Sequence, residues 1–111
     1  MTVKPVLLTI GIDPETESHL KESFLLADIR SLPFDLEQVM EPLSPEPLIA
    51  VVQTSDPAVS IEMAQTLRMM YPGAKLYLCS TNSASFERKS FIKNGFNDAF
   101  LLPLDLSSLK I

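Results

Sequence analysis

Leu48-Ile49-Ala50-Val51-Val52, followed by Gln53-Thr54-Ser55 and then Asp56-Pro57, decides the fold. Five apolar residues in a row, with no alternation, read as a strand covered on both faces, as in a parallel sheet. Asp56-Pro57 then reads as a helix start, with Asp as N-cap and Pro at the first helical position. Ile61, Ala64, Leu67 and Tyr71 recur at helical spacing, and Pro72-Gly73 closes the helix. A buried strand, a short polar turn and an amphipathic helix form one unit of an alternating α/β chain.

The same order repeats on either side. Val6-Leu7-Leu8-Thr9-Ile10 is a second buried-strand signal, and Asp13-Pro14-Glu15 repeats the helix start. Leu20, Phe24 and Leu25 give that helix an apolar side, while Glu17, Lys21 and Glu22 stay in water. Residues 29–34 form a strand that Pro33 confines to a sheet edge, because proline cannot donate to a ladder. Asp35 caps a short helix carrying Leu36, Val39, Met40 and Leu43, closed by Pro45 and Pro47. Leu76-Tyr77-Leu78-Cys79 is a fourth strand. Asn82 or Ser83 caps a helix through Phe86, Phe91 and Ile92, stopped by Asn94-Gly95. Residues 99–102 make a fifth strand, followed by Pro103. With no hairpin signal between strands, right-handed crossovers and a parallel sheet follow, giving a three-layer α/β sandwich in one domain, residues 1–111. A ligand site in such a fold lies at the carboxyl ends of the strands, at the switch in strand order.

Composition narrows the function. The 111 residues carry a formal charge of −5, which opposes a sequence-independent grip on nucleic acid. Glu87-Arg88-Lys89 to Lys93 is the one dense basic stretch. Three glycines leave no phosphate-cradling loop. One cysteine, Cys79, excludes an internal disulfide and fits a cytoplasmic setting, and no Cys/His cluster offers a metal site. Without a run of about 18 apolar residues, no membrane span is expected. His19 has no nucleophile or carboxylate partner set by any motif, and reads as a surface residue. Cys79 reads as a core thiol, and Met40, Met63, Met69 and Met70 as gap fillers, with Met69 or Met70 reaching the surface.

Two segments resemble the receiver domains of bacterial two-component response regulators. Gly95-Phe96-Asn97-Asp98-Ala99-Phe100-Leu101-Leu102-Pro103-Leu104-Asp105 is similar to the receiver ending Gly-Ala-Asp-Asp-Tyr-Leu-x-Lys-Pro-Phe-Asp. Asp13-Pro14-Glu15 is similar to the receiver's step from first strand to first helix. The resemblance covers residues 6–105 and implies a flavodoxin-like sheet of order 2-1-3-4-5. It also implies which positions would carry phosphorylation, and there it fails. Gly11 and Ile12 stand at the acidic pair that holds Mg²⁺, and neither can ligate a hard cation. Gln53 stands at the phospho-acceptor aspartate, and an amide has no anionic oxygen for attack on phosphorus. Leu102 replaces the lysine and Ala99 the switching aromatic; only Ser80, with Thr81 beside it, keeps the hydroxyl.

The expectation is therefore a non-enzymatic pseudo-receiver, without cofactor or Mg²⁺-dependent phosphorylation, acting in signal transduction through protein contact. The resemblance places the contact on the fourth-helix and fifth-strand face, by Arg88, Lys89, Ile92, Lys93 and Phe96, toward a partner or a second copy. Two alternatives stay open: a sensor of a neutral small ligand in the vacated pocket at Gly11, Gln53, Ser80 and Thr81, and residual phosphorylation at Asp56. Beyond Pro103 only Leu106-Ser-Ser-Leu-Lys-Ile111 remains, under about two helical turns, so a fifth helix is expected to be truncated or absent.

Overall fold

The computed structural model describes residues 4–84, 86–102 and 105. Five strands, β1 (Val6–Ile10), β2 (Asp28–Leu32), β3 (Ile49–Gln53), β4 (Lys75–Ser80) and β5 (Asp98–Leu101), pair in parallel in the order β2-β1-β3-β4-β5. Between them run α1 (Pro14–Ser23), α2 (Leu36–Val39), α3 (Pro57–Met70) and α4 (Arg88–Lys93). Fold class, strand order and the edge position of β2 agree with the sequence reading, but β2 ends at Leu32, so Pro33 follows the strand and does not sit in its ladder. The expected short fifth helix falls beyond Asp105, outside the described residues.

Alternation along the strands feeds two cores. Leu8, Ile10, Ala50, Val52, Leu76, Leu78 and Ala99 pack with Met63, Ala64 and Leu67 of α3 on one face. Leu7, Val51, Cys79 and Phe100 pack with Leu20 of α1 on the other. Because the central strands are apolar on both sides, neither face tolerates water, and the helices are held by burial rather than by their own propensity. Burial pushes the Cys79 thiol up to about 12, with the Asp13 carboxylate adding to the shift, so it is an inert core group.

The three aspartate caps hold. Asp13 accepts from the Thr16 N–H at 2.7 Å, Asp35 from Glu37 at 3.0 Å and Asp56 from Ala58 at 3.0 Å. Three expectations need correction. Helix α1 stops at Ser23, with Phe24 as its C-cap, so Leu25 does not join the apolar side and is 79% exposed. Met40 lies outside the single turn of α2 and is also exposed. Helix α4 begins only at Arg88, because the Asn82 side chain closes a local turn on the Ala84 N–H and caps nothing longer. The stop at Asn94-Gly95 holds, with Gly95 at φ +119°. Of the methionine pair, Met69 is exposed and Met70 packs against the core.

Arg68 of α3 fastens the sheet's far side. Its guanidinium donates to the Gly95 carbonyl at 3.2 Å, to the Ala74 carbonyl, and to Asn97 Oδ1 at 2.6 Å. The same Asn97 oxygen accepts from the Leu76 N–H at 2.8 Å. A forked, planar cation serves three acceptors that a point charge cannot. Arg68→Ala should lower unfolding stability by about 2 kcal/mol, and Arg68→Lys should recover less than half of that, both read from urea denaturation.

Candidate functional site

The carboxyl ends of β1, β3, β4 and β5 bring the candidate positions to one end of the sheet. Gln53 closes β3 and reaches across to the loop after β1. Its Oε1 accepts from the Asp13 backbone N–H at 2.9 Å, and its Nε2 donates to Asp13 Oδ2 at 2.8 Å. The amide supplies both the acceptor and the donor that this reciprocal pair uses. Asp13 Oδ1 meanwhile caps α1 through Thr16, so both carboxylate oxygens are engaged. The Gln53 amide is the largest influence holding the Asp13 carboxyl below the ordinary carboxylate range; burial opposes it, and the Thr16 hydrogen bonds reinforce it.

Gly11 sits at φ +65°, a backbone state that suits glycine. Its N–H donates to the Leu32 carbonyl at 2.9 Å, which draws the end of β2 close. A Cβ placed on Gly11 would come within 3.0 Å of Phe34 Cβ and 3.1 Å of Phe34 Cδ2. Phe34 therefore occupies the space that a side chain at position 11 would need. Ile12 and Leu102 pack in one apolar cluster with Leu7, Val51 and Phe100, and Leu102 is buried. At these two positions aliphatic side chains share one core.

Ser80 is buried, its hydroxyl accepting from the Asn82 N–H at 3.2 Å; the exposed Thr81 hydroxyl lies 3.1 Å from that of Ser55. Asp56 is exposed and bonded to its own helix start, at Ala58 and Val59. Phe34 also lines a cleft of about 60 Å³ with Leu36, Val59, Glu62 and Met63, room for roughly two waters. Among the described residues no group of three or more His, Cys, Asp or Glu is placed to hold a metal ion. None of their helices is long and apolar enough to cross a membrane.

At the opposite edge, Arg88 clamps α4 to β5. Its Nε donates to the Ala99 carbonyl at 3.0 Å, and the guanidinium pairs with Asp98 at 3.3 Å and Asp105 at 3.8 Å. Asp105 Oδ2 accepts from the Leu101 N–H at 2.8 Å, and its own N–H returns to the Leu101 carbonyl at 2.7 Å. Ala99 is fully buried, with no ring to rotate. Lys89, Ile92 and Lys93 are exposed on α4. Phe96 is not: it is 2% exposed and packs edge-on against Phe91, because the positive φ of Gly95 turns the chain back under the helix. The expected contact face therefore loses Phe96 to the core. Neither the Gln53–Asp13 pair nor the Phe34 cover was visible in the sequence, where the partners stand 40 and 23 positions apart.

Two outcomes follow for this end of the sheet. Gly11→Ala should cost about 1–3 kcal/mol in chemical denaturation, by backbone strain and displacement of Phe34. Because the Asp13 pKa is depressed in the folded state, its charge stabilises above the unfolded-state pKa, and that contribution fades as pH falls through the folded value. The stability gap between the parent and Asp13→Asn should be about 1 kcal/mol at pH 7 and shrink on acidification below about pH 4. A gap that widens in acid would contradict this.

No protein-family model matches the chain, and no curated protein matches it in sequence. Solved structures match it in shape. A response regulator from Thermotoga maritima superposes with a TM-score of 0.74 at 18% identity, over 96% of this chain and 92% of that one. The pilus assembly protein CpaE from Caulobacter crescentus gives 0.68 at 18% identity, over 96% and 88%. A CheY-like response regulator receiver domain from Methanospirillum hungatei gives 0.66 at 15% identity, over 96% and 88%. Identities this low speak for shape alone. The chain has the five-stranded fold of response-regulator receiver domains.

Proposed function

We propose that this chain is a receiver-fold signalling module that accepts no phosphoryl group and works through protein–protein contact. The observation that carries the reading is Gln53, at the end of the central strand, with both ends of its amide committed to Asp13. Forming an acyl phosphate needs a carboxylate to attack phosphorus, a cation to offset the charge of the phosphoryl oxygens, and ligands to hold that cation. Gln53, the aliphatic Leu102 and the Gly11-Ile12 pair supply none of these. Asp56 is a weak substitute, since its carboxylate already serves two backbone N–H groups.

Partner contact remains as the output. Similar folds occur in a CheX–CheY complex from Borrelia burgdorferi and in a protein named for pilus assembly. On this chain Lys89, Ile92 and Lys93 present two cations around one exposed aliphatic side chain, held in place from beneath by Arg88. An acidic protein surface with an apolar centre fits them. This module is proposed to be non-catalytic, with no cofactor.

Incubation with acetyl phosphate and Mg²⁺ should leave the intact mass unchanged, and beryllofluoride with Mg²⁺ should leave the melting temperature unchanged. Gln53→Asp alone should remain inert, because Gly11, Ile12 and Leu102 still lack the charges. A phosphoryl adduct on the parent chain, at Asp56 or elsewhere, would overturn the reading.

A further inference from the structure

The two edges of the sheet are finished differently. On β5 the outward-facing backbone groups are closed. Ala99 receives Arg88 at its carbonyl and Asp98 Oδ1 at its N–H, while Leu101 is bonded at both groups by Asp105. On β2, Asp28 donates to the Pro5 carbonyl and Leu32 accepts from Gly11, so residues 28, 30 and 32 face β1. Ile29 and Ser31 consequently turn their N–H and carbonyl groups outward, and among the described residues nothing bonds them. An open edge is a template for another strand.

The side chains of β2 fit a particular occupant. Asp28 and Arg30 lie on one face of the strand, paired with each other at 3.0 Å and both half-exposed. A single charge on an edge would repel a copy of itself. Opposite charges two residues apart instead match a second copy running antiparallel about a two-fold axis at Ile29. In that register Asp28 of each copy stands opposite Arg30 of the other, in the non-hydrogen-bonded positions where side chains come closest. The outward groups of Ile29 then bond reciprocally across the axis, and the Ser31 N–H meets the Ala27 carbonyl of the other copy. Leu25 and Leu26, 79% and 80% exposed, precede β2, and Phe34, 38% exposed, follows it. Antiparallel pairing brings the leucines of one copy beside Pro33 and Phe34 of the other, covering apolar surface that α1 and α2 leave bare.

We propose that the chain self-associates through β2, pairing antiparallel with a second copy to form one continuous ten-stranded sheet about a two-fold axis at Ile29. Such an interface is closed and isologous, so it yields a dimer and not a filament. It leaves α4 free, and it stands whether or not the reading of the phosphorylation site holds.

Sedimentation equilibrium from about 1 µM to about 1 mM tests it. A monomer–dimer equilibrium is expected. Arg30→Asp should raise the dissociation constant at least about tenfold by placing like charges opposite each other, and Asp28→Arg with Arg30→Asp should restore it. Ile29→Pro, which removes an outward N–H and the Ile29 packing against the α1-side core but takes no bond from the β1 ladder, should abolish the dimer with far-UV circular dichroism unchanged. Lys89→Glu with Lys93→Glu should leave it intact. A monomer throughout the range, or a dimer indifferent to the β2 substitutions, would overturn the proposal. The charge-swap rescue keeps the test decisive even if the proline variant unfolds.

Discussion

The reciprocal hydrogen bond between the Gln53 amide and Asp13 is the constraint on which the site depends. It joins the end of the central strand to the start of α1 across the switch in strand order. Through it, one aspartate both caps a helix and closes the mouth of the sheet. A carboxylate at position 53 could accept the Asp13 N–H but would then face the Asp13 carboxylate with no proton to give. With an amide at position 53, the two side chains form a bonded pair instead of two repelling acids. Phe34 over Gly11 completes the closure from the β2 side, and Ile12 with Leu102 completes it from the apolar side.

A second consequence concerns movement. A receiver that responds to phosphorylation needs a part that changes state. Here the hydroxyl at Ser80 is buried and bonded locally, and Ala99 is fully buried with a side chain too small to change rotamer. The helix above is tied to the strand by Arg88, with Asp98 and Asp105 flanking it. Such half-exposed ion pairs contribute about 1 kcal/mol or less each, yet together they hold one backbone geometry. Arg88 thereby holds the start of α4 in one arrangement against β5.

The fold was legible because its signals are local. Asp-Pro steps announced α1 and α3, and the unbroken apolar runs announced β1 and β3; β2 lies at the edge as expected, although Pro33 follows the strand and is not part of its ladder. The uncharged character of Gly11, Ile12, Gln53 and Leu102 was equally plain. What these residues bond and pack with was not, since a glutamine signals no partner and Phe34 reads as an ordinary aromatic after a strand. Phe96 misled for a related reason: its neighbours are polar, and only the backbone turn at Gly95 sends it inward. Helix α4 came out shorter because a good cap residue, Asn82, spent its side chain on a local turn. Errors fell where tertiary contacts override short-range pattern.

The most direct test is a double-mutant cycle on Asp13→Ala and Gln53→Ala, with stability measured by urea denaturation at pH 7. If the two side chains bond each other, their coupling energy should be at least about 0.5–1 kcal/mol, the double substitution costing less than the sum of the singles. Simple additivity, with coupling near zero, would mean that Gln53 and Asp13 do not hold each other, and the closed site would have to be abandoned.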